Sequence, residues 1–212
     1  MNAHIDPRQR GLDAASPSVR LQAVLAIGTA ADPVDLDALI VRCAVEPDFF
    51  VRDMLTWALT RLPARAVLPR LLDEVERGTP QARSQALHTL SKIADTSTHQ
   101  VVVASITDPD DEVARAAWRA AVSTVPVGGA PALGELLTSQ LGRGDRAVQL
   151  SLSQALVALG ADVITPLLES RADDPHAAAT LRLLTDPAAG SQLAVEAARR
   201  EVAKGNTRNA KG

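Results

Sequence analysis

The chain has 212 residues, 46% of them hydrophobic, yet it holds no Tyr and only two Phe and two Trp. Its formal net charge of −3 excludes a general electrostatic pull toward nucleic acid or an acidic membrane surface. A single cysteine, Cys43, excludes an intrachain disulfide and a Cys-based zinc site, and points to a reducing compartment.

A core with so few aromatics has to be made of Ala, Leu and Val. Ala and Leu are strong helix formers, whereas β-rich domains lean on aromatic and β-branched residues. The expected class is therefore all-α. Residues before Leu12 read as a short cap or irregular segment, and residues 1–7 lack the basic start and apolar run of a signal peptide. No stretch approaches the roughly 18 apolar residues of a membrane span, so a cytoplasmic protein with no membrane partner is expected. Nineteen Arg against three Lys suggest a GC-rich bacterial genome.

From residue 16 onward the chain repeats itself. Four segments read alike, beginning at Ser16-Pro17, Glu46-Pro47, Thr79-Pro80 and Asp108-Pro109, and their arginines Arg20, Arg52, Arg83 and Arg115 are 32, 31 and 32 residues apart. A fifth copy starts near Asp145, with Gln149 where Arg would be, and a degenerate sixth near Asp173. An acidic or hydroxyl residue before Pro is a helix-start signal, because its oxygen caps free amides and Pro is tolerated in the first turn. Aliphatic residues follow at helical spacing, as in Val19, Ala23, Ala26 and Ile27, or Val51, Leu55, Ala58 and Leu59. Short breaks are expected at 28–33, 63–65, 95–98, 125–131 and 160–162. Second helices are expected at 34–45, 66–77, 99–106, 132–141 and 163–172. One such pair cannot bury its apolar face alone, so pairs must stack. In the fourth copy, matching Val113 to Val19 moves the whole segment back by one residue.

These segments resemble the HEAT-repeat family, in particular the short bacterial, phycobilin-lyase-type HEAT-like repeat. Its pattern is an Asp-Pro-like start, Val-Arg, Ala three residues after the Arg and an aliphatic residue seven after it. Val19-Arg20-Ala23-Ile27 and Val51-Arg52-Leu55-Leu59 follow it. The resemblance implies an α-solenoid of about five to six helix pairs, forming one domain over residues 1–204 with a disordered tail at 205–212. It says little about activity, because HEAT-like proteins include scaffolds, transport receptors, lyase subunits and a DNA glycosylase branch.

Side chains with chemistry are sparse. His4, His88, His99 and His176 show no metal-ligand spacing, and the Gly128-Gly129 and Gly142-Arg143-Gly144 pairs lack the context of a phosphate loop. No cofactor, no metal and no catalytic residue are expected. Cys43 reads as core packing. The arginine row has two readings, ties between neighbouring repeats or a phosphate-reading track, and its framework position favours the first. A second row, Trp57, His88 and Arg119, is spaced by 31 and 31, with Asp53, Gln85, Trp118 and Gln154 nearby. Tryptophans next to polar donors are the composition of an interaction hot spot, set against the plainer reading of ordinary polar helix surface. Of Phe49 and Phe50, one is expected to cap the junction core and the other to be exposed.

The function these features favour is a non-catalytic scaffold or adaptor that binds a protein or peptide, with nucleic acid disfavoured and the oligomeric state open. Its site is either the row just named or a concave face of second helices carrying Asp35, Asp37, Arg42, Arg70, Asp73, Glu74 and Glu76. The alternative is an enzyme or enzyme subunit acting on a large substrate, of the nucleic-acid glycosylase or chromophore lyase kind.

Overall fold

A computed structural model describes residues 7–185, so the tail expected at 205–212 and the last part of the expected domain lie outside the described residues. Within them the chain is all-helical, with two short 3-10 turns and no strand. In chain order the helices are α1 (Pro7–Gly11), α2 (Pro17–Ala30), α3 (Leu36–Val45), α4 (Phe49–Arg61), α5 (Ala64–Arg77), α6 (Pro80–Ile93), α7 (His99–Ala104), α8 (Asp111–Thr124), α9 (Ala130–Thr138), α10 (Arg146–Leu159), α11 (Ala161–Glu169) and α12 (Pro175–Thr185). The described part of the segment before Leu12, Pro7–Gly11, is helical. No helix among the described residues is long and apolar enough to cross a membrane.

The helix starts follow from their caps. Asp48 accepts from the amides of Phe50 and Val51, Asp110 from those of Glu112 and Val113, and Asp145 from those of Ala147 and Val148, at 2.8–3.2 Å. Thr79 accepts from the Ala82 amide at 3.3 Å. Each such bond satisfies an amide that has no partner inside the helix and contributes about 1 kcal/mol. The prolines divide into two kinds. Pro17 and Pro80 sit in the first turn, as expected. Pro47 and Pro109 instead stand outside the helix, so the second acid of Glu46-Pro47-Asp48 and of Asp108-Pro109-Asp110 is the cap and the first is free for another task.

Counting from the capping residues Ser16, Asp48, Thr79, Asp110 and Asp145 fixes the register. The third residue is Val19, Val51, Ala82, Val113 and Val148; the fourth is Arg20, Arg52, Arg83, Ala114 and Gln149. Val113 therefore matches Val19, and Arg115 falls one position beyond the other three arginines.

The helices form two sets. The long helices α2, α4, α6, α8, α10 and α12, of 11–14 residues, each pack on the next of their kind, and α5 of the other set matches them at 14 residues. The others, α3, α5, α7, α9 and α11, each fit against the long helix that follows them. The core lies between the sets and is aliphatic, with Ile27, Leu39, Leu55, Leu59, Leu71, Leu87, Leu90, Leu137, Leu152 and Leu156 fully buried. The approach of α6 and α8 follows from size: Ala114, Ala116, Ala117, Ala120 and Ala121 are all 0% exposed. Cys43 is buried among α3, α5 and α6, and burial, with Glu74 and Glu46 nearby, pushes its thiol up to about 12.

Several boundaries differ from the expected ones. Gly28 is not a break: α2 runs through it to Ala30 and ends on Ala31 in the left-handed conformation. The second helix of the first pair begins with a 3-10 turn, Pro33–Asp35, capped by Asp32. Val19 is 46% exposed and Ala26 is also exposed, although both lie at the expected helical spacing.

Candidate interaction surface

The framework arginines hold the chain to itself. Arg20 is buried; its Nε and Nη2 donate to the two Glu46 oxygens at 2.8 and 2.7 Å, and its Nη1 donates to the carbonyls of Ala14 and Ala15. Arg52 donates to the carbonyls of Glu46 and Pro47, both at 3.0 Å. Arg83 donates to the Val75 carbonyl and to the buried carboxylate of Asp108. Gln149 repeats the backward reach, toward the carbonyls of Gly142 and Gly144 at 3.3 Å. The fourth position of α2, α4, α6 and α10 thus ties the helix to the backbone that precedes it. Arg115, shifted by one, pairs instead with Glu112 on its own helix at 2.7 Å, and the Asp108 carbonyl of the turn before α8 accepts from Arg143.

Glu46 and Asp108 are the acids that capping left free, and each accepts the amide two residues on, from Asp48 and Asp110. Burial alone pushes the Glu46 carboxyl up, but Arg20, the Asp48 amide and Arg42 together outweigh it and hold the group below its ordinary value. A carboxylate with this many donors is a structural joint between the first two pairs.

The second row keeps its register. Leu25, Trp57, His88, Arg119 and Gln154 are each the ninth residue after the cap of α2, α4, α6, α8 and α10. Leu25, Arg119 and Gln154 are exposed, and Trp57 and His88 half-buried. Trp57 lies over Gly28 of α2, where a Cβ on the glycine would fall 2.3 Å from ring carbon Cζ3. His88 Nε2 is 3.8 Å from Oδ1 of the exposed Asp53. Burial, and then the charges of Arg119 and Lys92, hold the His88 imidazole below its usual value against the pull of Asp53.

Two residues named with this row are withdrawn from the surface. Gln85 turns back toward α4, where its Nε2 donates to the Arg52 carbonyl at 3.1 Å and to Thr56 Oγ1 at 2.7 Å. Trp118 is 0% exposed; its indole N–H donates to the Ile106 carbonyl at 3.0 Å, and the Arg143 guanidinium lies 5.9 Å from its ring centroid. Both sit one residue to the core side of a more exposed position, Gln85 after half-buried Ser84 and Trp118 before exposed Arg119. A linear spacing with a tolerance of one residue does not separate those directions on a helix. The phenylalanines also depart from expectation. Phe49 and Phe50 are 64% and 62% exposed and meet edge to face at 5.7 Å, because the first inward position of α4 is Val51.

The structure adds two residues to the row. Arg61 and Lys92 lie one turn beyond Trp57 and His88 on the same helices, and both are exposed. The signal for them was present in the sequence, four residues along the same helical stripe. Among the described residues no carboxylate comes within 4.0 Å of Arg61, Lys92 or Arg119. The other face is different. There Arg70 pairs with Asp37 at 3.2 Å, Arg77 with Asp73 at 2.6 Å, Arg42 with Glu46 at 2.8 Å and Arg171 with Glu135 at 3.7 Å. Gln9 donates to the buried Asp35. A groove of about 380 Å³ between α5 and α7 is lined by Val75, Glu76, Arg83, Gln100, Val101, Ala104 and Ser105. Its one guanidinium, Arg83, is engaged by Asp108 and the Val75 carbonyl. Among the described residues no three His, Cys, Asp or Glu side chains converge as a metal site.

No protein-family model matches this chain, and no curated protein matches it. A crystal structure of an engineered protein aligns at 19% sequence identity over 72% of this chain and 77% of that one, with a TM-score of 0.41, a likeness that carries no argument.

Proposed function

We propose that the chain is an α-solenoid of HEAT-like helix pairs that holds a protein or peptide on the outer face of its long helices, without chemistry of its own. The observation that carries this reading is the register of that face. Five successive helices present their ninth residue side by side, and three of those residues are Trp57, His88 and Arg119. Stacked helix pairs generate extended surfaces of this kind, and an aromatic beside polar donors is how such surfaces concentrate binding energy. The face of second helices is the weaker candidate, since Arg42, Arg70, Arg77 and Arg171 there are already paired with carboxylates.

The test is retention of partners from a bacterial lysate on the wild-type chain and on a Trp57→Ala, His88→Ala, Arg119→Ala variant, once circular dichroism shows the variant folded. A protein held by the wild type and lost by the variant is the expected result. A protein held equally by both would remove this row from the reading, and retention of none by either would sink the scaffold itself.

A further inference from the structure

The long-helix face combines three features that together specify a ligand chemistry. It carries Arg61, Lys92 and Arg119, one cation on each of three successive helices, in a chain whose net charge is −3. None of the three has a carboxylate within 4.0 Å among the described residues, whereas Arg42, Arg70, Arg77 and Arg171 of the opposite face are paired and Arg65 there is not. Beside them lies the half-buried ring of Trp57, seated on Gly28. Their charges also reach a common point: Arg119 and Lys92 both act on His88.

We propose that this face binds an extended acidic segment of a partner protein, with a carboxylate at about every third residue. The spacing follows from the scaffold. Packed helices stand about 8–10 Å apart, and three residues of extended chain span about 10 Å, so acids at that interval meet one cation per helix. Trp57 offers an apolar surface one turn from Arg61 for the residues between the acids. The inference rests on the scaffold reading above and names the chemistry of its partner.

A nucleic acid fits less well. Duplex binding draws on about 6–10 phosphate contacts, and this face has three uncompensated cations. Asp53 and Glu112, both exposed, stand among them and would repel a continuous line of phosphates while leaving room for separate carboxylates.

Fluorescence polarisation tests the proposal with a labelled peptide of about twelve residues carrying Glu at every third position, its Gln counterpart, and a DNA duplex of similar charge. The probe proteins are the wild type, Lys92→Gln/Arg119→Gln, and Arg65→Gln/Arg182→Gln, which removes the same charge from exposed positions elsewhere. Binding of the Glu peptide at low salt, roughly tenfold weaker in the first variant and unchanged in the second, is expected, with no binding of the Gln peptide. Equal weakening in both variants, or no binding at low salt, overturns the proposal. So does DNA binding more tightly than the peptide and depending on the same two cations. The two readings fail separately. A natural partner that is lost by the triple alanine variant but retained by Lys92→Gln/Arg119→Gln leaves the scaffold standing and removes the acidic segment.

Discussion

At the scale of single residues, the fourth position of the long helices does the connecting. Arg20, Arg52 and Arg83 differ in their partners but share the backward bond to the carbonyls of the preceding turn, and Gln149 keeps that bond without a charge. The last pair uses His176 instead. Its Nδ1 accepts the Gly142 amide at 3.0 Å, so Nε2 carries the proton and faces the Gln149 carbonyl and Ser153 Oγ, each at 2.9 Å. Thr180 donates to the His176 carbonyl, which makes Ser153 the donor to Thr180 at 2.8 Å. Burial holds this imidazole below its usual value, and a second proton on Nδ1 would break the bond to Gly142. The unfolded chain takes up that proton more readily. The stability due to His176 is therefore complete above its ordinary value of about 6.5 and is lost as pH falls through the lower folded value. Urea unfolding at pH values near 7.5 and 5.5 is expected to show a loss of stability in acid that is smaller in His176→Gln. The variant itself loses about 1–3 kcal/mol near neutrality from buried bonds left unmade. An identical acid slope in the variant would remove His176 from the account.

At the scale of elements, Gly28 and Trp57 form a joint between α2 and α4. The glycine is helical, so its bare backbone costs α2 about 1 kcal/mol relative to alanine. A Cβ there would also stand 2.8 Å from ring carbon Cε3 and 3.0 Å from the Ala58 Cβ. Overpacking costs about 1–3 kcal/mol, which outweighs the propensity gain. Gly28→Ala should destabilise the chain and swing Trp57 outward, shifting its emission to longer wavelength. Trp118 is buried and serves as the unchanged reference. In a Trp57→Ala background the same substitution should instead stabilise by up to about 1 kcal/mol. Destabilisation in both backgrounds would show that the ring is not all that the glycine accommodates, the Ala58 Cβ at 3.0 Å being the remaining contact.

At the scale of the whole molecule, packing runs between neighbours along the chain, with each long helix on the next and each second helix tucked against the long helix after it. Stability in such an arrangement is close to a sum of local interfaces, so it is graded rather than uniform. The alanine-rich α8 packs on α6 in the middle, while α1 and α12 have no described helix beyond them. Amide exchange is expected to be slowest in α6 and α8 and fastest in α1 and α12. Uniform protection across all the helices would mean that the chain opens only as one unit.

The sequence by itself determined the all-α class and core positions such as Ala23, Ile27, Val51, Leu55, Ala58 and Leu59. These depend on local chemistry that a linear pattern records: aliphatic residues at helical spacing, capping oxygens, and prolines that stop or start a helix. It also placed Trp57, His88 and Arg119 at a common position, because a constant repeat length preserves angular register. What only the tertiary structure decided is the direction of each neighbour and the identity of each partner. Gln85 and Trp118 differ from half-buried Ser84 and exposed Arg119 by one residue, about a hundred degrees of helix rotation. Arg115 left the arginine row through the same one-residue shift. Glu46 and Asp108 became buried acceptors only because Asp48 and Asp110 took over the caps. The uncompensated charge on Arg61, Lys92 and Arg119 depends on which carboxylates come within reach. That is a property of helices brought side by side, and spacing along the chain does not contain it.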